Sequence, residues 1–196
     1  MSTERLRPAP KQFIHLRVHS AYSLLEGALP ISKIVDFATH NGAPAIAITD
    51  ASNLFGALEF AQKASKAGVQ PLIGCQLSVD FGDKASLPQV SGVKKELPSF
   101  PTMVFLAANA QGYTNLVEIV SRSFMETPTG DPISVKSEWL REHGAGIIAL
   151  TGGVAGPIDS IIATSPDVAL ARLQVLEACF GDRLYVEVQR CQGYDK

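Results

Sequence analysis

The hydrophobic pattern of the chain alternates between short apolar runs and longer amphipathic stretches. The apolar runs have the length and flanking turn residues of buried strands, and predict strands at 13–18, 45–49, 70–81, 102–108, 146–151 and 183–188. The stretches between them place apolar residues at helical spacing, and predict helices at 29–42, 53–68, 112–125, 134–144, 157–164 and 167–180. Strands separated mostly by helices indicate an α/β fold with a parallel sheet or barrel, because parallel neighbours need crossover connections. In such folds ligands bind at the carboxyl ends of the strands.

Two parts of the chain lack this periodicity. Residues 1–11 carry charges but no apolar run, which predicts a short flexible arm before the fold. Residues 82–101 combine glycine, serine and prolines with the charged run VKKEL, and predict an exposed loop or insertion. The chain from 12 to 196, with this insertion inside it, is expected to form a single domain.

The composition narrows the class of protein. Apolar residues make up 46% of the 196 residues and charged residues 18%, as in one globular domain. A net charge of −2 and a pI near 6.1 give no basic surface of the kind that binds nucleic acid through its phosphates. The cysteines, Cys75, Cys179 and Cys191, are far apart with no C-x-x-C pair, which argues against disulfides and structural zinc and predicts a cytoplasmic location. No apolar stretch approaches the roughly 18 residues of a membrane span.

The stretch HLRVHSAYSLLEG at 15–27 carries the most informative spacing. Residues two apart in a strand share a face, so Arg17 and His19 point the same way. His15 and His19 are roughly 13 Å apart along a strand and cannot share one metal ion. Many metalloenzymes carry His-x-His at this two-residue spacing, but an arginine side chain has no lone pair with which to bind a metal.

Five motifs then follow in order: FIHLRVHSAYSLLEG, AIAITDASNLFGALEF, AGVQPLIGCQLSV, LAANAQGYTNL and ALTGG. In order and spacing, the chain from about residue 12 to its end resembles the polymerase-and-histidinol-phosphatase (PHP) domain family, in the form that begins the bacterial DNA polymerase III alpha subunit. The resemblance implies a distorted TIM-like (β/α)7 barrel. Six strands are visible here, so we expect a PHP fold truncated before its last strand.

The resemblance also implies where metal ligands lie in family members that bind a cluster of divalent ions. Those positions fall on Arg17, His19, Glu26, Ala51, Gln76, Thr102 and Cys191. His19 and Glu26 keep ligand chemistry, and Cys191 offers a thiolate, whereas alanine has no donor atom and arginine brings a permanent positive charge. We therefore expect a degenerate pocket with no metal and no catalytic residue, in which Arg17 replaces the charge of the metals and pairs with Glu26.

The functional expectations follow from the resemblance. The parent protein would be the magnesium-dependent replicative DNA polymerase, whose catalytic carboxylates lie outside this chain. The domain itself would be a metal-free scaffold with no cofactor of its own. It would support the polymerase and bind the proofreading exonuclease (epsilon) subunit among other holoenzyme subunits, and DNA would be held by the rest of the parent protein. The alternative is a metal-dependent phosphoesterase with 3'-5' exonuclease or pyrophosphatase activity, in a remodelled site of His19, Glu26 and Cys191.

Several other residues allow a functional and a structural interpretation. Asp50 is either a catalytic acid or part of a capping turn before a helix, and we favour capping. The turn with Gly152, Gly153 and Gly156 before Pro157 is either an anion-binding turn or an ordinary strand-to-helix connection, and we favour the latter. Cys75 and Trp139 are expected to be buried core residues. His15, His40 and His143 are expected to be structural or surface residues.

Overall fold

The computed structural model describes residues 13–83 and 100–188, which form a six-stranded sheet with helices packed against it. The α-helices are α1 (Ile31–His40), α2 (Ala57–Lys66), α3 (Ala110–Glu126), α4 (Ser137–His143) and α5 (Pro166–Phe180). The strands are β1 (Ala45–Ile48), β2 (Gln70–Asp80), β3 (Thr102–Ala107), β4 (Val135–Lys136), β5 (Ile147–Leu150) and β6 (Leu184–Tyr185). Short 3-10 turns occupy Gly153–Ala155 and Gly181–Arg183. No helix in the described ranges is both long and apolar enough to cross a membrane.

The sheet has the order β1-β2-β3-β5-β6, with β4 paired to the far end of β2. β1 and β2 are parallel, as are β5 and β6, but β3 runs antiparallel to both of its neighbours. The expectation of an entirely parallel sheet is therefore wrong at β3. No helical periodicity was found between β2 and β3, and two strands that are not joined by a helical crossover can pair in opposite directions.

The predicted first strand, 13–18, is extended but does not form a regular ladder. Its carbonyl groups at His15 and Val18 accept hydrogen bonds from the N–H groups of Ala47 in β1 and of Thr49 directly after it. The hydroxyl of Thr49 also accepts the backbone N–H of Val18 at 2.9 Å. The Thr49 side chain thus replaces one backbone acceptor of the ladder. For this reason the segment lies against β1 without forming a regular β-ladder with it.

Three further boundaries differ from the sequence prediction. The helix predicted at 134–144 is preceded by the two-residue strand β4, and the stretch 157–164 forms turns instead of a helix. α2 begins at Ala57, four residues after Asn53, whose side chain accepts the N–H of Phe55 in a local turn. Gly68 does end α2 as predicted, with φ near +76° directly after its C-cap.

The two faces of the sheet differ in what they pack against. Alternate residues of β2 and β3, such as Cys75, Leu77 and Phe105, join the large core formed with α3, α4 and α5. Both Cys75 and Trp139 belong to that core, as predicted. On the opposite face a small apolar layer lies below the polar residues of the candidate site, and it contains Ala47, Val104, Leu106 and Leu150. The predicted arm, 1–11, and most of the predicted insertion lie outside the described residues.

Candidate functional site

Arg17 lies among polar groups that come from β2 and from the residues after β5 and β6, and we call this cluster the pocket. Its guanidinium donates two hydrogen bonds to the side-chain oxygen of Gln76 on β2, from Nε at 3.1 Å and from Nη2 at 2.6 Å. Nη1 forms an ion pair with Glu187 Oε1 at 2.9 Å and also reaches the carbonyl oxygen of Gly152 at 3.4 Å. The positive charge is therefore surrounded by oxygen acceptors, at a position that the resemblance implies for a metal ligand.

The predicted ion pair between Arg17 and Glu26 is wrong. The carboxylate partner of Arg17 is Glu187, which follows β6, and the side chains of this pair are 25% and 15% exposed. Sequence reasoning missed Glu187, although it lies in the run RLYVEV at a strand end where functional side chains are expected. A single sequence does not reveal which carboxylate at the strand ends faces the arginine.

Glu26 instead pairs with the other retained ligand type, His19. His19 Nδ1 lies 3.3 Å from Glu26 Oε2, and the amide nitrogen of Gln76 lies 3.4 Å from the same oxygen. His19 Nε2 is buried and has no hydrogen-bond partner among the described residues. In many metal sites the ligand histidine donates its other ring N–H to a carboxylate, which fixes the orientation of the ring. His19 makes the same kind of contact with Glu26.

Asp50 forms a second polar network directly beside this pocket. Its carboxylate accepts the N–H of Ser20 at 2.6 Å, the hydroxyl of Ser20 at 2.7 Å and the hydroxyl of Ser23 at 2.5 Å, and Asp50 is 2% exposed. The preferred interpretation of Asp50 as a helix-capping residue is therefore wrong. Its carboxylate oxygens accept hydrogen bonds from the 20–23 turn, which precedes it in the chain. They do not cap α2, because that helix begins at Ala57, seven residues after Asp50.

Ala51 and Thr102 lie next to partners of Arg17, Ala51 beside Gln76 and Thr102 beside Gly152, but neither side chain makes a polar contact with Arg17. Ala51 pairs with Gln76 in a single parallel bridge, and its N–H donates to Ser23 Oγ at 3.0 Å. Thr102 begins β3 opposite Ser78. Because β3 is antiparallel, it is the amino end of this strand that reaches the pocket. The motif LAANAQGYTNL lies at the opposite, carboxyl end of β3, where Asn109 caps α3.

The glycine turn presents a carbonyl group to the pocket. Gly152 has φ near +81°, and a Cβ there would overlap the carbonyl oxygen of Thr102, so the close approach requires glycine. The Gly152 carbonyl accepts from Arg17, and the N–H of Gly156 bonds to the carbonyl of Gly153 at 2.7 Å. The α-helix expected after Pro157 is absent from the described turn. Anion binding by Gly152, Gly153 and Gly156 thus loses the helix start on which it was based, and stays an untested prediction.

The cysteines add no ligand to the described pocket. Burial raises the pKa of the Cys75 thiol far above its ordinary value, so this residue stays a neutral thiol and donates to the Asp50 carbonyl oxygen at 3.2 Å. Burial also raises the pKa of the half-buried Cys179 thiol. Cys191, the predicted third donor, lies outside the described residues.

The donor atoms of the pocket do not fit a cluster of divalent ions. The Gln76 oxygen is taken by Arg17, Ala51 has no donor, and the guanidinium repels a cation. In the part of the chain that the structure describes, no group of three or more His, Cys, Asp or Glu side chains is arranged to hold a metal ion. Of the ligand positions that the resemblance implies, His19 and Glu26 retain a donor among the described residues, and the Glu187 carboxylate is paired with Arg17. Two retained ligands are fewer than the three protein ligands of catalytic zinc sites.

Comparisons with known proteins show the family of the chain. The model of the PHP domain matches residues 15–191. The chain is similar to the DNA polymerase III subunit alpha of Caulobacter vibrioides, with 41% identity over 180 residues, and to that of Thermus aquaticus, with 36% identity over 181 residues. Each match covers 91% of this chain but only 15% and 14% of those proteins, so the chain spans about a seventh of their length. Among solved structures, an amidohydrolase from Chromobacterium violaceum overlays with a TM-score of 0.44 at 18% identity, over 70% of this chain and 65% of that chain.

Proposed function

The chain belongs to the PHP domain family, and we propose that it is the PHP part of a DNA polymerase III alpha subunit that serves as a metal-free scaffold. The curated relatives carry that name and match this chain over nearly its whole length. Template-directed DNA synthesis with magnesium would then belong to the remaining polypeptide of a cytoplasmic parent enzyme, because this pocket contains no set of carboxylates that binds metal ions.

The contact set of Arg17 carries the metal-free part of the proposal. Two hydrogen bonds to Gln76 and the ion pair with Glu187 fix the guanidinium inside the pocket. An arginine side chain carries a permanent positive charge, so the pocket contains this charge without a metal ion. A divalent ion at the same place would need to overcome that charge with too few ligands.

A hydrolysis assay tests this proposal. The whole chain is incubated with Mn²⁺ or Zn²⁺ and with single-stranded DNA, pyrophosphate or an aryl phosphate, and we expect no turnover above that of a buffer control. The matched variant is His19→Ala, which removes a retained ligand type without touching Arg17. Metal-dependent turnover in the native chain that disappears in His19→Ala would contradict the scaffold proposal.

That same assay addresses the alternative of a phosphoesterase with 3'-5' exonuclease or pyrophosphatase activity. The contacts of His19 favour this alternative, because Nδ1 faces Glu26 while the buried Nε2 has no hydrogen-bond partner among the described residues. Two donors beside an arginine charge weigh against it. We therefore keep the scaffold as the proposed function and the phosphoesterase as the second candidate.

The surface of the domain supports a binding role for the scaffold. A groove of about 440 Å³ lies between the 52–55 loop and α3, and its apolar lining includes Phe55, Tyr113, Val117 and Phe124. Phe55 is 75% exposed and Phe124 51% exposed, so both rings offer apolar surface to a partner along this groove. We propose that the partners of the scaffold include the proofreading exonuclease subunit and other subunits of the polymerase complex.

A binding measurement tests the partner. The purified exonuclease subunit is titrated against the whole chain, and saturable binding is expected. A Phe55→Ser variant should bind more weakly if the groove contributes, whereas Phe37→Ser, on the exposed face of α1, serves as the matched control. Absence of any binding by the folded native chain would contradict this part of the proposal.

A further inference from the structure

The ion pair between Arg17 and Glu187 joins the two outermost segments of the sheet. The segment 13–18 lies outside β1, at one edge, and Glu187 follows β6, at the other edge. Six neighbouring segments at about 4.8 Å would place these edges about 24 Å apart in a flat sheet. One arginine and one glutamate side chain cannot reach that far, so the sheet must curl until its edges face each other across the pocket.

Backbone pairing does not hold these two edges together. Among the described residues, no backbone hydrogen bond connects 13–18 with 184–188. Within the described residues, β6 is weakly attached on its own side, since it pairs with β5 at two positions, Leu184 and Tyr185. The Tyr185 carbonyl also accepts from the Thr151 N–H at 3.0 Å, and the Glu187 N–H donates to the Thr151 hydroxyl at 3.0 Å.

We propose that Arg17 and Glu187 form a latch that holds the 13–18 and 184–188 segments together across the curled sheet. The other contacts of Arg17, to Gln76 on β2 and to Gly152 after β5, hold its guanidinium in place between the two segments. Within the described ranges, the pair acts where no backbone hydrogen bond joins the two edges. This role depends only on the fold and the contacts, and it stands even if the parent protein is not a polymerase.

Hydrogen exchange measured by segment tests the latch through its reciprocity. In Arg17→Met, amides of 184–188 should exchange about tenfold faster, and in Glu187→Gln amides of 13–18 should accelerate in the same direction. The central pairing of β2 with β3 at Gly74–Ser78 should stay unchanged. Glu59→Gln, which removes the charge of an exposed ion pair on α2, is the matched control and should leave both edges unaffected.

The double variant Arg17→Met/Glu187→Gln distinguishes a latch from two independent local roles. If the residues act through each other, the acceleration at both edges in the double variant is smaller than the product of the single effects. Multiplying effects, or a Glu187→Gln variant that accelerates 184–188 but not 13–18, would overturn the proposal. If Arg17→Met unfolds the whole chain, the conservative Glu187→Gln variant still decides, because it keeps an oxygen acceptor for Arg17.

Discussion

The Asp50 network and the Arg17 network lie side by side at the strand ends but differ in what they connect. Asp50 joins the end of β1 to the 20–23 turn, which lies next to it, and all three of its donors are neutral groups. Arg17 joins both edges of the sheet and uses an ion pair whose side chains remain partly exposed. The first network fixes a local turn, and the second fixes the curvature of the whole sheet.

The difference in burial predicts a difference in energetics. A buried carboxylate that loses its donors, or buried donors that lose their carboxylate, leave unsatisfied polar groups at a cost of about 1–3 kcal/mol each. A partly exposed ion pair loses much of its strength to solvent and to salt. The network that matters most for the barrel shape is therefore expected to contribute less to stability than its buried neighbour.

The largest expected effect is that of Asp50→Ala. The substitution leaves the N–H of Ser20 and two hydroxyl groups without their acceptor, and should lower the free energy of unfolding by about 3 kcal/mol. Urea unfolding followed by circular dichroism measures it. Ser23→Ala, which removes one of the three donors to Asp50, should cost about 1 kcal/mol. A loss below 1 kcal/mol in Asp50→Ala would show that the buried network is not the stronger one.

Arg17→Met should have an intermediate effect that depends on salt. Loss of the ion pair and of the bonds to Gln76 should lower the free energy of unfolding by about 1–2 kcal/mol in dilute buffer. The loss should shrink in about 1 M NaCl because salt screens charge pairs. The effect of Asp50→Ala, whose donors are neutral, should change little with salt. If instead the stability loss of Asp50→Ala depended on salt and that of Arg17→Met did not, the comparison of the two networks would be contradicted.

Glu26→Gln is expected to have the smallest effect on stability. The Glu26 side chain is half exposed, and glutamine still offers an oxygen acceptor toward His19 and Gln76. We expect a change of about 0.5 kcal/mol or less, similar to that of Glu59→Gln in the exposed pair on α2. Unfolding curves of both variants against the native chain measure it. A loss of 2 kcal/mol in Glu26→Gln alone would make Glu26 a central partner of the pocket after all.

The sequence predicted the parts of the fold that depend on local patterns. Apolar periodicity located five of the six strands and all five α-helices, although α2 and α4 begin later than predicted, and the family resemblance was confirmed over residues 15–191. It missed β4, because two residues are too short to show a period. It gave β3 the wrong direction, because an apolar run looks the same when read along either direction of a strand.

The candidate site was predictable as a set of positions but not as a set of contacts. The resemblance implied Arg17 and Gln76 as positions of one pocket, and the structure brings these two residues together with Gly152. The carboxylate opposite Arg17 depends on how strongly the sheet curls, which is a property of all six segments together. For that reason Glu26 was the nearer candidate in the sequence and Glu187 is the partner in the structure.

A calorimetric titration of the whole chain with Mn²⁺ tests most directly the claim that an internal arginine replaces metal ions. Mn²⁺ prefers carboxylate and imidazole ligands over thiols, so the cysteines do not disturb the result. The account predicts no saturable binding in the native chain and no difference between the native chain and His19→Ala. Saturable binding of one or more Mn²⁺ ions per chain that is lost in His19→Ala would contradict it.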